Sequence, residues 1–201
     1  NAHFYRIELT QLPAFTLDSG EIEWGDWISM QELWQMYVRG DALMVKPTMY
    51  AARALAKDSQ VRSTQPFCEA YDEDKIPYLE LLNGLGYLPV PSNTLPPATT
   101  TNALLIGGDG AFKVLTDPSA ASLLTLRRLK NTLQPRQPEA ILLTHHHPDH
   151  HEHAPDLARD LQIPILCSEK THQRLLKSWG ERYLDGIEVR YIRQDEVITQ
   201  W

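Results

Sequence analysis

Apolar positions recur with two different periods along this chain, and the change of period organises it. From Ser29 onward Leu33, Trp34, Met36 and Tyr37 follow the three- and four-residue spacing of a helix with one buried face. Ser29-Met30-Gln31-Glu32 forms a capping box ahead of that run, and Gly40 supplies a left-handed stop after it. A second helix is predicted from Pro47, which suits a first turn, through Met49, Ala52, Leu55 and Ala56 to Asp58-Ser59. Tyr5-Arg6-Ile7-Glu8-Leu9 alternates apolar and polar residues and predicts a strand, as does the tryptophan-rich stretch from Glu21 to Ile28. The tryptophans fall inside these patterns, which favours core or interface packing over a ligand platform.

Later in the chain, strand and helix signals alternate. Strands are predicted at 103–106, 111–115, 140–143, 163–167 and 188–192. Helices are predicted from Asp117-Pro118-Ser119 through Leu123, Leu124, Leu126 and Leu129, then at 155–162 and 168–178. Gly107-Gly108-Asp109-Gly110 reads as a hairpin turn between the first two strands, because its residues tolerate positive φ. Such alternation indicates a mixed α/β (α+β) class.

Between the two regions lies Pro89-Val90-Pro91-Ser92-Asn93-Thr94-Leu95-Pro96-Pro97. Four of the chain's 14 prolines occupy these nine positions. Proline fixes φ and removes a donor, so the segment is expected to run extended, as a linker or an ordered strap. The predicted organisation is an α+β region at 1–88, the proline segment at 89–97 and an α/β region at 98–201.

The chemistry concentrates in one loop. Six of the chain's eight histidines lie between positions 145 and 153. Thr144-His145-His146-His147-Pro148-Asp149-His150 follows the apolar run Ala140-Ile141-Leu142-Leu143, so a strand ends where the donors begin. Imidazole and carboxylate suit zinc and related first-row metals. His145 and His147, two apart, can converge on one ion, while Asp149 and His150 point differently and can serve a second beside it. A solvated or vestigial His-rich loop is the competing reading. His172 lies on a predicted helix outside the cluster and takes no metal role.

Composition bounds the rest. The chain has 201 residues, 42% of them apolar and 22% charged, an ordinary globular balance. The net charge of -7 argues against a general nucleic-acid surface. No stretch approaches the roughly 20 apolar residues that cross a bilayer. Cys68 and Cys167 make no disulfide framework, which suits a reducing cytoplasm. Cys167 ends an apolar run and reads as a small core residue.

Leu143-Thr144-His145-x-His147-x-Asp149-His150 resembles the signature of the metallo-β-lactamase-fold hydrolases. Thr100 to Gly107, Lys113 to Pro118 and Asp195-Glu196-Val197-Ile198 are similar to flanking segments of that family, so the resemblance covers about residues 93 to 201. It implies an αββα sandwich, of which this sequence carries the first half, because the family's later His-x-Pro-Gly-His segment is not found. It also implies His145, His147, Asp149 and His150 as ligands of one or two ions, zinc most often, iron or manganese otherwise. A metal-bound hydroxide would attack a small-molecule ester, thioester or phosphodiester, as in glyoxalase-II-like or endoribonuclease-like members, with Asp149 orienting the nucleophile and accepting its proton. On the same resemblance Asp117 steadies the loop, His146 points away, and His151 and His153 are spare donors.

Glu23 to Ser29 and Met44 to Thr48, each followed by a helix, resemble the tail of a Nudix-like domain without its catalytic box. A nucleotide pyrophosphohydrolase fusion and a non-catalytic binding module are the alternative functions. Half a sandwich would leave an apolar sheet face uncovered, so homodimerisation, a domain swap or packing of the two halves is expected.

Overall fold

The computed structural model describes residues 3–17, 20, 22–65, 72–108 and 110–198. Cys68, Asp109 and Trp201 lie outside them. The chain divides into two compact units, Asn1–Ala70 and Tyr71–Trp201.

The described part of the first unit is built on two helices. Helix α1 spans Met30–Arg39; the Ser29 side chain accepts from the Glu32 N–H, and Gly40 closes the helix at φ 81°. Helix α2 spans Lys46–Lys57, with Pro47 in its first turn. Tyr37, Met49 and Tyr50 form the small core between them, with Trp34 and Met44 packed on it. No strand forms at Tyr5–Leu9 or at 22–28 among the described residues; Glu21, the first residue of the second expected strand, lies outside them. Alternation alone leaves backbone groups unpaired, and a strand exists only where a neighbour completes its ladder. Trp27 instead donates from Nε1 to the Pro13 carbonyl and meets Phe15 edge to face.

The second unit contains a seven-stranded sheet in sequence order: β1 (Leu79–Leu82), β2 (Leu85–Pro91), β3 (Thr100–Ile106), β4 (Val114–Thr116), β5 (Ala140–Leu142), β6 (Ile165–Cys167) and β7 (Val189–Tyr191). Strands β1 to β4 pair antiparallel and β4 to β7 parallel. The parallel connections carry helices α3 (Leu123–Leu133), α4 (Pro148–His151), α5 (Ala154–Leu161) and α6 (Glu169–Trp179). Register places Leu88, Ala103, Leu105, Leu115, Ile141 and Ile165 on one face. They share a core with Leu126, Leu129 and Leu133 of α3, Leu157 of α5 and Leu175 of α6. Three helices therefore back one sheet face. Among the described residues there is no second sheet, which is consistent with the first half of the expected sandwich.

Two features differ from the sequence-based expectation. The proline segment is no linker: Pro89 and Pro91 belong to β2, opposite Asn102 and Thr100. Strand β1 stops opposite Leu85–Tyr87, so beyond it the odd-numbered residues of β2 have no neighbour on that side. The Ser92 N–H still reaches Thr99 on the β3 side, while the Pro91 carbonyl turns outward to accept from Ala121. Prolines therefore occupy positions where no ladder donor is needed. The third helix begins at Leu123 rather than near Asp117. The N–H groups of Asp117, Ala120 and Ala121 are taken by Leu142, Glu152 and Pro91, which holds 117–121 as a loop until Ser122 caps α3.

Candidate metal centre

Parallel neighbours β4 and β5 end side by side, a position where α/β sheets commonly place ligands. Asp117 follows β4, and the histidine loop follows β5. Asp117 adopts left-handed backbone, φ 43°, which aspartate tolerates better than most residues. Its buried carboxylate grips the start of the loop: Oδ1 accepts the Thr144 N–H at 2.8 Å and Oδ2 accepts the Thr144 hydroxyl at 2.6 Å.

This network assigns tautomers. The single Thr144 hydroxyl proton goes to Asp117, so Oγ1 must accept from His145 Nδ1, 3.0 Å away. His145 therefore presents its Nε2 lone pair. His150 Nδ1 lies 3.0 Å from Asp117 Oδ2 and donates to it, which leaves the His150 Nε2 lone pair outward as well. One carboxylate thus sets two imidazoles in the same ligating tautomer, one of them through a threonine. Partners that fix the far nitrogen in this way are the usual support of metal-binding histidines.

The four expected donors fall into two close pairs. His145 Nε2 and His147 Nδ1 are 3.1 Å apart, and His150 Nε2 lies 3.8 Å from Asp149 Oδ2. The rings of His145 and His150 have centroids 4.0 Å apart, so the pairs adjoin. Nitrogens about 2.0–2.1 Å from one tetrahedral zinc lie about 3.3 Å from each other, close to the His145–His147 spacing. The residues present fit a first-row metal ion. By distance alone the tightest trio is Asp117, His145 and His150, whose ligand atoms all lie within 4.8 Å of one another. Asp117 already carries three hydrogen bonds on its two oxygens, so we read it as the orienting group and the histidines as the donors.

Electrostatics keeps the donors available. Burial, and then the charges of His150 and His147, hold the His145 imidazole below the usual histidine range. Burial alone would raise the Asp149 carboxyl; the Thr94 hydrogen bond and the neighbouring His150 outweigh it, and the net shift is downward. The Thr94 hydroxyl donates to Asp149 Oδ2 at 2.8 Å, and Thr101 donates to the Asp149 carbonyl at 2.6 Å. These threonines come from the loop after β2 and from β3, and no local sequence signal marks either.

Of the remaining histidines, His172 lies on α6 with Nδ1 2.8 Å from the Tyr191 hydroxyl. His151 is not a spare donor: it is wholly buried with both nitrogens engaged. Among the described residues His153 is bonded through Nδ1 alone, 2.8 Å from Asp156 Oδ2. Position 151 is the last residue of α4, and that turn directs its side chain inward while His150 faces the site.

Residues 113–199 match the beta-lactamase superfamily domain. The match begins just before β4 and contains Asp117 and the whole histidine loop; it does not reach the first unit, where the Nudix-like resemblance lies. Among solved structures, a metallo beta-lactamase from Hirschia baltica is similar at a TM-score of 0.44 and 22% identity, over 62% of this chain and 54% of that chain. The chain thus spans about half the length of that protein. No curated protein matches.

Proposed function

We propose that residues 113–199 carry the metal-binding half of a metal-dependent hydrolase, with His145 and His147 holding one ion and Asp149 and His150 a second. The observation that carries this reading is the pair of Asp117-anchored imidazoles with outward Nε2 lone pairs. Zinc suits the donor set best, with iron or manganese as alternatives. A bound ion there would supply Lewis-acid polarisation of an acyl or phosphoryl oxygen and a water with pKa near 7.

The chain's own residues do the remainder. Asp149, held ionised and steered by Thr94, takes the proton of the attacking water at its carboxylate. Water oxygen bonds to the acyl carbon or phosphorus, the bond to the alcohol or thiol breaks, and the abstracted proton leaves with that group. The substrate class is a small ester, thioester or phosphodiester.

The test is metal content and turnover together. Protein purified without a nickel column should retain zinc, iron or manganese, and it should hydrolyse an aryl ester, an acyl thioester or a bis-aryl phosphate in a metal-dependent way. Less than about half an equivalent of metal, unchanged in His147→Ala, would sink the proposal. Full occupancy without turnover would instead favour a non-catalytic binding module.

A further inference from the structure

The interior beside the loop holds an arrangement that ligand chemistry alone does not require. His151 has no exposed surface, and a buried imidazole is tolerated only when its nitrogens are partnered. Its Nε2 lies 3.2 Å from the His146 carbonyl oxygen, and its Nδ1 lies 2.7 Å from the Tyr183 hydroxyl. A carbonyl can only accept, so Nε2 carries the proton and Nδ1 accepts from Tyr183. Burial pushes the Tyr183 phenol well up, so the donor keeps its proton.

The pair is braced from two sides. The Trp179 ring at the end of α6 stacks on Tyr183 and meets His151 edge to face, each with centroids 5.5 Å apart. Arg159 of α5 donates from Nη2 to the Tyr183 carbonyl at 2.8 Å and from Nε to the Asp185 carbonyl at 3.0 Å. The hydrogen-bonded chain runs from α5 through Tyr183 and His151 to one backbone oxygen. That oxygen belongs to His146, the residue between His145 and His147.

We infer that Tyr183 and His151 act as positioning residues for the metal centre, fixing the His146–His147 peptide and thereby the spacing of the flanking His145 and His147 rings. Neither touches the ion or the substrate. A rotated peptide would carry the Cα–Cβ direction of His147 with it and separate two nitrogens now 3.1 Å apart. Partners at this remove commonly change metal affinity by about 10–100-fold. The role rests on the metal-centre reading above.

Cobalt(II) titration of the full chain, followed by visible absorption and by competition with a chelator, tests it. Tyr183→Phe keeps the ring stacked on Trp179 and removes only the hydroxyl. We expect it to bind cobalt about 10–100-fold more weakly, with an altered d–d band. Leu175→Val serves as the control, because it loosens the same core cluster while leaving the Tyr183 hydroxyl and both His151 nitrogens in place. It should lower the unfolding midpoint while leaving cobalt affinity and spectrum unchanged. Wild-type affinity and spectrum in Tyr183→Phe would overturn the positioning role while leaving the metal centre standing. Equal weakening by Leu175→Val would also overturn it, by reducing the effect to general loosening. A wild-type chain that takes up no cobalt overturns the metal centre and the positioning role together.

Discussion

Thr94 reaches across 55 positions of sequence to donate its hydroxyl to Asp149 Oδ2, tying the loop after β2 to the single turn of α4. Thr94→Val keeps the shape and removes the bond. A hydrogen bond to a charged group contributes about 1.5–3 kcal/mol, and partial exposure of Asp149 places the expected loss at the low end. The sign with pH distinguishes the cause. A carboxyl lowered from its ordinary 3.8 contributes stability that is complete above that value and lost as pH falls through the folded-state value. Urea unfolding of the chelator-treated proteins should therefore separate wild type from Thr94→Val at pH 7 and bring them together well below 3.8. An unchanged gap would mean that the carboxylate is not the source.

Asp117→Asn tests the tautomer assignment. The amide can still accept the Thr144 N–H, but its NH2 would then face the Thr144 hydroxyl and His150 Nδ1. Both would have to become acceptors, which moves the imidazole protons onto the metal-facing nitrogens. Zinc affinity, measured by chelator competition, should fall about 10–100-fold. Equal affinity in the two proteins would favour other tautomers.

His145, His146 and His151 are all held below the usual histidine range, with burial the leading cause in each case. A depressed imidazole is neutral in the folded state while its unfolded counterpart, near 6.5, binds a proton. Stability is then complete above 6.5 and declines as pH falls through the folded values. The metal-free protein should unfold at lower denaturant at pH 5.5 than at pH 7.5. Equal midpoints would show that these shifts do not reach the folding equilibrium.

Cys167 is fully buried at the end of β6, and desolvation raises its thiol to about 11. Thiolate is the reactive form, so the native thiol should resist an aromatic disulfide reagent at pH 8 and react promptly once unfolded. A Cys68→Ser background isolates the signal. Rapid labelling of the native variant would contradict the burial.

Local chemistry made parts of this architecture legible. Ser29 and Gly40 bracket α1 as a capping box and a left-handed stop dictate, and the apolar runs before Thr116, Leu142 and Cys167 became strands. The Asn83-Gly84 turn between β1 and β2 carries a strong hairpin signal, with Gly84 at φ 75°. Tyr5–Leu9 failed as a strand because pairing is a property of two segments and the pattern describes one.

The site divides along the same line. The candidate donors His145, His147, Asp149 and His150 stand out in the sequence because they share one loop. Thr94, Thr101 and Tyr183 do not, because they reach the loop only through the packing of distant elements. The role of His151 depended on which side of one helical turn faces inward.

The nearness in sequence of those four donors has a thermodynamic consequence. Six consecutive positions hold all of them, so the unfolded chain offers the same nitrogens and oxygens within a few ångströms of slack. A ligand stabilises a fold only by the difference between its affinities for the folded and unfolded states. Metal should therefore raise the melting temperature of this protein by less than its affinity suggests. The shortfall would measure how much of the centre is made by the peptide alone and how much by Asp117, Thr94 and Tyr183.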